Sequence, residues 1–379
     1  MKPLLSIVIP TKNRYETLML VINYLLQNIP SNDLEIVIQD NSDSNNHFLN
    51  YLSKIKDRRL KYFYNPDSLS VIENSDLSIK NSTGEYVSFI GDDDSVMPYL
   101  VDLTIWMKKN NYAILKANKP VYNWKGQKKS YLSNDDSGSL ILKKFNYKIK
   151  HRSTREGIKH TLKKGGTSMA KLPCLYHGIV KRQLLNLIYI KSNTYFPGPS
   201  PDMSNGIAIS LFSDSFIYVD FPVFISGKSS KSTGGQGILH KHVSKIDEVK
   251  HLPVNTSKKW SEKIPKYWTG PTIWAESTIK ALESLEKFDY IDKFRYSYLY
   301  AAIYVFNFKN RNEIFDNFKK NIFGFYFFID IINIFFFRLK HFINNRLLIS
   351  DISHISQVET LENAMEILNK MVDLKKLPN

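Results

Sequence analysis

Three consecutive carboxylates, Asp92, Asp93 and Asp94, follow the apolar run Tyr86 to Ile90. That run is short, β-branched and aromatic, which predicts a buried strand, and Gly91 predicts a loop directly after it. Carboxylates this close together repel one another, and a divalent cation such as Mn²⁺ or Mg²⁺ would remove the repulsion and hold a diphosphate. The cluster therefore predicts a metal-diphosphate site, with a solvated acidic turn as the alternative.

Strand and helix patterns alternate through the first third of the chain, which predicts a doubly wound α/β fold. Three of the predicted strands end in polar loops: Leu4 to Ile9, Leu34 to Ile38 and Tyr86 to Ile90. Thr11, Asp40 and Asp92 each follow one of these strands. Because the carboxyl ends of parallel strands meet at one edge of a sheet, we expect these three side chains to lie together, which weakens the solvated-turn alternative.

The composition bounds the class of protein. The chain has 379 residues, 43% of them hydrophobic and 23% charged, which is typical of a globular protein, but its net charge is +16. Such an excess favours nucleic acid, an anionic membrane surface or a phosphorylated substrate as partner. The single cysteine, Cys174, excludes an internal disulfide and a Cys-cluster metal site, so the cytoplasm is the expected compartment.

The sequence predicts neither a signal peptide nor a membrane-spanning helix. The N-terminal apolar run is too short for a signal peptide and is better interpreted as the first strand. The longest apolar stretch, Ile322 to Phe337, is interrupted by Asp330 and Asn333 and falls short of the roughly 20 uncharged residues that span a bilayer. Any membrane contact is therefore expected at the inner face of the cell membrane.

The segments LSIVIPTKNR, LEIVIQDNSD and STGEYVSFIGDDDSVMP resemble the nucleotide-sugar-binding half of family 2 glycosyltransferases of bacterial polysaccharide biosynthesis. The resemblance implies the GT-A fold, a doubly wound mixed sheet in the α/β class. Residues 1–255 would form this domain, with a Rossmann-like nucleotide-binding half at 1–115 and an acceptor half at 116–255. Residues 256–379 would form a helical C-terminal region that contacts a membrane or a partner.

The resemblance also implies roles for residues of the donor half. Thr11 matches the residue that contacts the nucleoside, Asp40 the acceptor for the base N–H, and Asp92 the residue that contacts the ribose. Lys12 stands where many relatives have an aromatic residue that stacks on the base, so the base is left open, with a UDP-sugar favoured. The remaining implied donor contacts are Pro10, Asn13, Arg14 and Asn74.

The implied cofactor is Mn²⁺ or Mg²⁺, held by the Asp-x-Asp-type motif. Three consecutive Asp residues allow two registers of that motif. The family spacing to Pro98 favours Asp93 as the direct ligand, with Asp92 and Asp94 as the further candidates. A late-loop histidine, His242, is a fourth candidate, although two alternating histidines on a strand would need no metal.

The inverting mechanism of the family requires a second carboxylate as general base near the acceptor hydroxyl. The best match is Asp202, in the loop FPGPSPDM, where a helix starting near Met203 would place it at or before the N-cap. A plain helix cap is the alternative role, and the two are compatible.

Two further regions bear on partners. The stretch Lys143 to Lys171 is strongly basic and suits an anionic acceptor or a phospholipid surface, with a solvated loop as the alternative. The aromatic segments from Tyr296 onward predict either an interfacial helix pair or a buried helical subdomain. A final amphipathic helix with Val358, Leu361 and Met365 would pack on the core or pair with another chain, so a homo-oligomer stays open.

The sequence thus predicts a glycosyltransferase of the hexosyltransferase type that acts on a glycan or lipid-linked acceptor in cell-surface polysaccharide or capsule biosynthesis. A catalytically inactive scaffold with the same fold is one alternative, although the retained carboxylates argue against it. A basic nucleic-acid-binding protein is the other. No binding module supports it, and the acidic cluster would repel a polyanion, so we expect no nucleic acid partner.

Overall fold

The structure is a computed structural model that describes residues 2–126, 137–230, 243–316, 318, 322–346 and 351–378. Strands and helices alternate through the first half of the chain, and helices dominate the second half. The strands are β1 (Leu5–Thr11), β2 (Leu34–Asp40), β3 (Leu60–Tyr64), β4 (Tyr86–Phe89), β5 (Ser95–Val96), β6 (Ile114–Asn118), β7 (Val121–Asn123), β8 (Ser139–Lys143), β9 (Ile149–Ser153), β10 (Gly178–Lys181), β11 (Ser215–Pro222), β12 (Phe224–Lys228), β13 (Ser244–Lys245), β14 (Tyr267–Trp268) and β15 (Ile352–Ile355). The helices are α1 (Tyr15–Asn28), α2 (Asn46–Leu52), α3 (Val71–Lys80), α4 (Leu100–Lys109), α5 (Thr154–Lys163), α6 (Arg182–Ser192), α7 (Pro201–Leu211), α8 (Gly270–Ser284), α9 (Phe288–Ile291), α10 (Tyr296–Phe306), α11 (Arg311–Asp316), α12 (Phe325–Arg346) and α13 (Leu361–Met371).

Among the described residues, eight strands form one mixed sheet in the order β3-β2-β1-β4-β10-β6-β11-β9. Strand β1 is parallel to β2 and β4, whereas β10 is antiparallel to both β4 and β6 and joins the two halves of the sheet. Thr11 lies opposite Asp40, and Val8 lies opposite Phe89. The doubly wound mixed sheet predicted from the sequence is therefore confirmed, and the loops after β1, β2 and β4 leave it at one edge.

Burial explains why these segments become central strands. Every residue of β2 and β4 is buried, as expected for strands covered by helices on both faces, whereas edge strand β3 alternates between half-buried and exposed residues. Helix α3 begins with a capping box in which Ser70 Oγ accepts from the Glu73 N–H and the Glu73 carboxylate accepts from the Ser70 N–H. This fixed start places Asn74 against the loop after β1.

The C-terminal residues pack into the apolar core that also contains β1, β2 and α1, which we call the first core. Strand β15 pairs antiparallel with β8, and α13 buries Leu361, Met365 and Leu368 in the same cluster as β1 and α1. Of the two roles predicted for the final helix, packing on the core is the one observed. The domain boundary predicted after residue 255 stays a prediction, but the residues from β15 onward share the core of the first half.

A second apolar core lies between α5, α7, α8 and α10 and contains Met203, Leu282 and Leu299. Tyr267 and Tyr300 are buried in it, so part of the aromatic C-terminal region is an ordinary helical core. Helix α7, which carries Asp202, is packed between this core and the sheet. The second core therefore fixes the candidate base relative to the carboxylate cluster.

The second core contains a buried acid, Glu276, whose carboxylate accepts from the Ser261 N–H at 3.0 Å. Burial raises its pKa to about 7, against a usual value of 4.5. Because the pKa of Glu276 is higher in the folded chain than in the unfolded chain, its protonated carboxyl group stabilises the fold. This stabilisation is fully present below the pKa of the unfolded chain and is lost as the pH rises through about 7.

Between about pH 5 and about pH 8, Glu276 should make the free energy of unfolding of the wild type fall by no more than about 3 kcal/mol. We expect this part of the fall to be absent in Glu276→Gln. Urea unfolding at the two pH values measures this. Glu283→Gln, on the exposed side of the same helix, is the matched control. An unchanged slope in the Glu276 variant would contradict the assignment.

Candidate functional site

The loop after β4 brings Asp92 against the loop after β1. Thr11 Oγ1 donates a hydrogen bond to Asp92 Oδ2 at 2.7 Å, and a guanidinium nitrogen of Arg14 lies 2.7 Å from Asp92 Oδ1. Asp92 is completely buried, and burial raises its pKa to about 7 although the Arg14 charge opposes the shift. The two loops predicted to converge are thus joined by a buried ion pair.

Asp93 is held from the opposite side by strand β12. Its Oδ2 accepts from both the N–H and the hydroxyl of Ser229, at 2.9 and 2.7 Å, and its backbone carbonyl accepts from Trp124 Nε1 at 3.0 Å. Its Oδ1 faces Arg14, with a guanidinium nitrogen at 3.8 Å. Burial and the neighbouring Asp94 raise the pKa of Asp93. One oxygen of this carboxylate is anchored and the other faces the loop after β1.

Asp94 is the most completely bonded carboxylate of the cluster. Its Oδ2 accepts from the Gly91 N–H and the Tyr176 hydroxyl at 2.6 and 2.7 Å, and His177 Nε2 lies 2.9 Å away. Its Oδ1 accepts from the Gly227 N–H at 2.7 Å. Although burial opposes ionisation, the contacts with His177, the Tyr176 hydroxyl and the Gly91 N–H lower the pKa of Asp94 below its usual value. Asp94 is therefore an ionised anchor that ties the loop to β12 and β10.

A chain of polar groups runs from the exposed Lys119 through the buried His177 and supports that anchor. Lys119 Nζ lies 3.0 Å from His177 Nδ1, and burial lowers the pKa of His177, which favours the neutral imidazole. We assign the ring proton to Nε2, since Nδ1 then accepts from the lysine while Nε2–H faces Asp94 Oδ2 at 2.9 Å. The lysine, histidine and aspartate thus form one connected line of polar contacts.

Gly227 allows β12 to approach the cluster closely. A Cβ atom built on Gly227 would lie 1.7 Å from the Asp93 carbonyl oxygen, which is impossible without displacing one of the two backbones. We expect Gly227→Ala to move Asp93 and to weaken metal-dependent nucleotide binding at least tenfold, on the scale of about 1.4 kcal/mol per tenfold change. Calorimetric titration of the folded variant measures this.

Gly270→Ala is the matched control for that substitution, since nothing lies within 4 Å of its Cβ position. Wild-type nucleotide affinity in a folded Gly227→Ala variant would show that the approach of β12 does not position Asp93.

Asp40 lies at the same sheet edge and already accepts three hydrogen bonds within the protein. Its carboxylate accepts from the hydroxyls of Tyr15 and Tyr62, at 2.6 and 2.8 Å, and from the Ser42 N–H at 2.8 Å. It is completely buried. The direct contact predicted between Asp40 and the base stays a prediction.

Asn13 and Asn74 shape the loop after β1. Asn13 has a φ of 57° and exchanges two hydrogen bonds with Asp43, which links the loops after β1 and β2. Asn74 Nδ2 lies 3.4 Å from the Thr11 carbonyl oxygen. Its Oδ1 is buried without a hydrogen-bond donor among the described residues. Asn74 thus offers an acceptor to a ligand, whereas the Asn13 side chain is used within the protein; Pro10 is half-buried in β1.

Asp202 is the second residue of α7, whose N-cap is Ser200, so the expected position at or before the N-cap is wrong. The helix starts earlier because Pro201 occupies its first turn, where a missing N–H costs nothing. Ser200 Oγ donates to Asp202 Oδ1 at 2.6 Å. Burial raises the pKa of the Cys174 thiol to about 11, and the Asp202 carboxylate adds to that shift. Asp202 is close enough to His177 for its charge to act on that imidazole, which in turn lies against Asp94.

Several supporting residues were not predicted: Lys119, Trp124, Tyr176, His177, Gly227 and Ser229. For Gly227 and Ser229 the sequence carries a signal, since they belong to a glycine-, serine- and lysine-rich segment that begins at Ser226. The other candidate ligand, His242, lies outside the described residues. Within the described part of the chain, no three His, Cys, Asp or Glu side chains form a metal-binding group.

Residues 6–166 match the family described as Glycosyl transferase family 2. This segment is a family 2 glycosyltransferase domain. It contains most of β1, all of β2 to β9 and the carboxylate cluster, so the predicted family, with its glycosyltransferase class, is confirmed at the level of this segment. Asp202, Gly227 and Ser229 lie beyond the matched residues.

The glycosyltransferase domain is similar to curated proteins over part of their length. The chain is 30% identical over 144 residues to the GalNAc(5)-diNAcBac-PP-undecaprenol beta-1,3-glucosyltransferase of Campylobacter jejuni, covering 37% of this chain and 44% of that protein. It is 27% identical over 135 residues to an uncharacterized glycosyltransferase of Rickettsia conorii, covering 35% of this chain and 22% of the relative. The chain thus spans less than half the length of these curated relatives.

Among solved structures, S. aureus TarS 1-349 in complex with UDP-GlcNAc is similar with a TM-score of 0.47 and 13% identity. The similarity covers 84% of this chain and 89% of that one.

Proposed function

We propose that this chain is an inverting, metal-dependent glycosyltransferase that moves a sugar from a nucleoside diphosphate sugar to a hydroxyl of a glycan or lipid-linked acceptor. The observation that carries the proposal is the convergence of Thr11, Arg14, Asp92 and Asp93 at one sheet edge within a family 2 domain. A buried acidic pair facing a single arginine suits a ligand that carries both phosphate and a cation.

The residues fit Mn²⁺ or Mg²⁺ at Asp93. Its Oδ1 accepts no hydrogen bond among the described residues and lies 3.8 Å from Arg14, whereas Asp92 Oδ1 is paired with Arg14 at 2.7 Å. Asp93 Oδ2 is fixed by Ser229. Mg²⁺ is typically bound through one or two carboxylates together with substrate phosphates. When bound, the cation supplies Lewis-acid stabilisation of the departing diphosphate. We assign Asp94 to support of the loop instead, because both its oxygens are engaged.

Other residues of the donor half contact the remaining parts of the nucleotide sugar. The guanidinium of Arg14 is 23% exposed and next to the cluster, so it can pair with a phosphate oxygen. Asn74 Oδ1 is the open buried acceptor and suits a ribose hydroxyl or a base N–H. Asp40 holds Tyr15 and Tyr62 in place and so forms the wall of the base pocket. A UDP-sugar is the donor that the family resemblance favours.

On the acceptor side, Asp202 takes the proton of the attacking hydroxyl. Helix α5 packs on α7, and the strongly basic stretch 143–171 includes this helix and edge strand β9. An exposed cationic surface next to the helix of the base suits an anionic acceptor. The Campylobacter relative is named for a PP-undecaprenol acceptor, which makes a lipid-linked diphosphate at the inner membrane face the favoured class here.

The setting we propose is bacterial glycan biosynthesis, such as capsule or other surface polysaccharide, with the protein attached peripherally to the membrane. No helix in the described part of the chain is long and apolar enough to cross a bilayer.

The test is calorimetric titration of the full chain with nucleoside diphosphates and their sugars, first with Mn²⁺ or Mg²⁺ and then with a chelator. We expect one nucleotide class to bind and the binding to weaken strongly in chelator. If no nucleotide binds under either condition, the donor site is not functional and the inactive scaffold becomes the better description.

A further inference from the structure

Helix α12 is buried along one face of its first half and exposed along its second half. Phe327, Asp330 and Ile334 are buried against the second core, at the i, i+3 and i+7 spacing of one helix face. From residue 335 onward, every described side chain of the helix is exposed. The C-terminal half of α12 is therefore open to solvent, with Arg338 placed over the Phe306 ring at the end of α10 at 5.3 Å.

This exposed half is apolar on more than one face. Phe335, Phe336 and Phe337 are 66%, 66% and 67% exposed, and they are followed by the exposed Leu339 and Phe342. Three consecutive residues span about 200° of a helix, since each turns by about 100°. Exposed rings of this size present on the order of 300 Å² together, as much as the largest patch on many soluble monomers. We call residues 335–343 the aromatic tip.

The charges of α12 are of one sign where they are exposed. Arg338 and Lys340 lie within the aromatic tip and are exposed. The only acidic residue of the helix, Asp330, is buried and paired with Arg295 at 2.9 Å. Rings with interspersed cations and no carboxylate are complementary to apolar chains beneath a layer of anionic headgroups.

We propose that the aromatic tip inserts into the interface of a bilayer that contains anionic lipid. The proposal rests on the proposed function, which places the acceptor at the membrane, and it names the surface that makes the contact. A second copy of the chain is the less suitable occupant, because helix pairing uses a narrow stripe at two positions in seven, whereas these rings surround the helix. The buried Asp330 and its ion pair limit insertion to the tip.

The experiment is co-sedimentation of the full chain with vesicles of phosphatidylcholine, with and without phosphatidylglycerol. We expect binding to the anionic vesicles, and we expect the variant F335S/F336S/F337S to lower the partition coefficient at least about tenfold. R338E/K340E should lower it in a salt-dependent manner. Since all five residues are exposed, both variants should fold, and urea unfolding checks this.

Phe288→Ser is the matched control, because Phe288 is an exposed ring on α9, away from the tip. Unchanged vesicle binding by the triple Phe variant, or equal loss in the Phe288 control, would overturn the proposal. So would a wild-type dimer in analytical ultracentrifugation that the triple variant converts to monomer. Nucleotide titration of the same samples separates the two proposals, since the tip variants should bind nucleotide as wild type does.

Discussion

Asp93→Asn is expected to abolish metal-dependent nucleotide binding and to lower turnover by on the order of 10²–10³-fold. The amide keeps the size of the side chain and can still accept from Ser229, but it removes the negative charge that a divalent cation requires. The measurement is calorimetric titration with the nucleotide class identified for the wild type, with metal and then with chelator. In chelator, the variant and the wild type should bind the nucleotide about equally.

Two further variants separate the charge of Asp93 from its position. Ser229→Ala removes the hydroxyl donor at 2.7 Å but leaves the backbone N–H, so metal-dependent binding should weaken by only about 1 kcal/mol. Asp33→Asn removes an exposed carboxylate just before β2, at the opposite end of that strand from the cluster, and should change nothing. Wild-type metal affinity in Asp93→Asn would show that the cation is held elsewhere.

The donor half was largely predictable because its signals are local. β1, β2 and β4 are continuous apolar runs that end in polar loops, and parallel pairing then brings the loops to one edge. Thr11 and Asp92 are 81 residues apart, yet their contact follows from strand order alone. Ordered motifs in this half also carry the family resemblance.

The support of the site was not predictable, because it depends on packing between distant segments. Ser229 reaches Asp93 across 136 residues through the pairing of β12 with β5. His177 has a φ of 58° and belongs to no motif, and its contact with Asp94 exists only because β10 enters the sheet antiparallel to β4. The return of β15 and α13 to the first core is likewise a long-range pairing that no local pattern specifies.

The different roles of the three carboxylates could not be predicted from the sequence for the same reason. The sequence presents Asp92, Asp93 and Asp94 as equivalent residue types, and only the donors around each one distinguish them. Asp94 meets four polar groups and stays ionised, whereas burial raises the pKa of Asp92 to about 7. Neighbours from β10 and β12 thus decide which carboxylate is an anchor and which faces the ligand.

Asp202→Asn should leave nucleotide binding intact and lower sugar transfer by roughly 10²–10⁴-fold, the usual contribution of a general base. The reason is that Asp202 lies on the neighbouring helix α7, outside the donor loops, and asparagine cannot take the proton of the attacking hydroxyl. The measurement is release of nucleoside diphosphate from the identified donor, with a bacterial lipid extract as the source of acceptor.

A role limited to the helix start predicts a different result for the same substitution. An acidic residue in the first turn contributes about 0.3–1 kcal/mol through the helix dipole, so Asp202→Asn would then lower stability slightly and leave transfer per folded molecule unchanged. Ser200→Ala is the matched control, because it removes the 2.6 Å hydrogen bond to Asp202 but keeps the carboxylate. Loss of transfer in Asp202→Asn, with most activity retained in Ser200→Ala, would identify the carboxylate itself as the base, whereas retained transfer in both variants would assign that role to another residue.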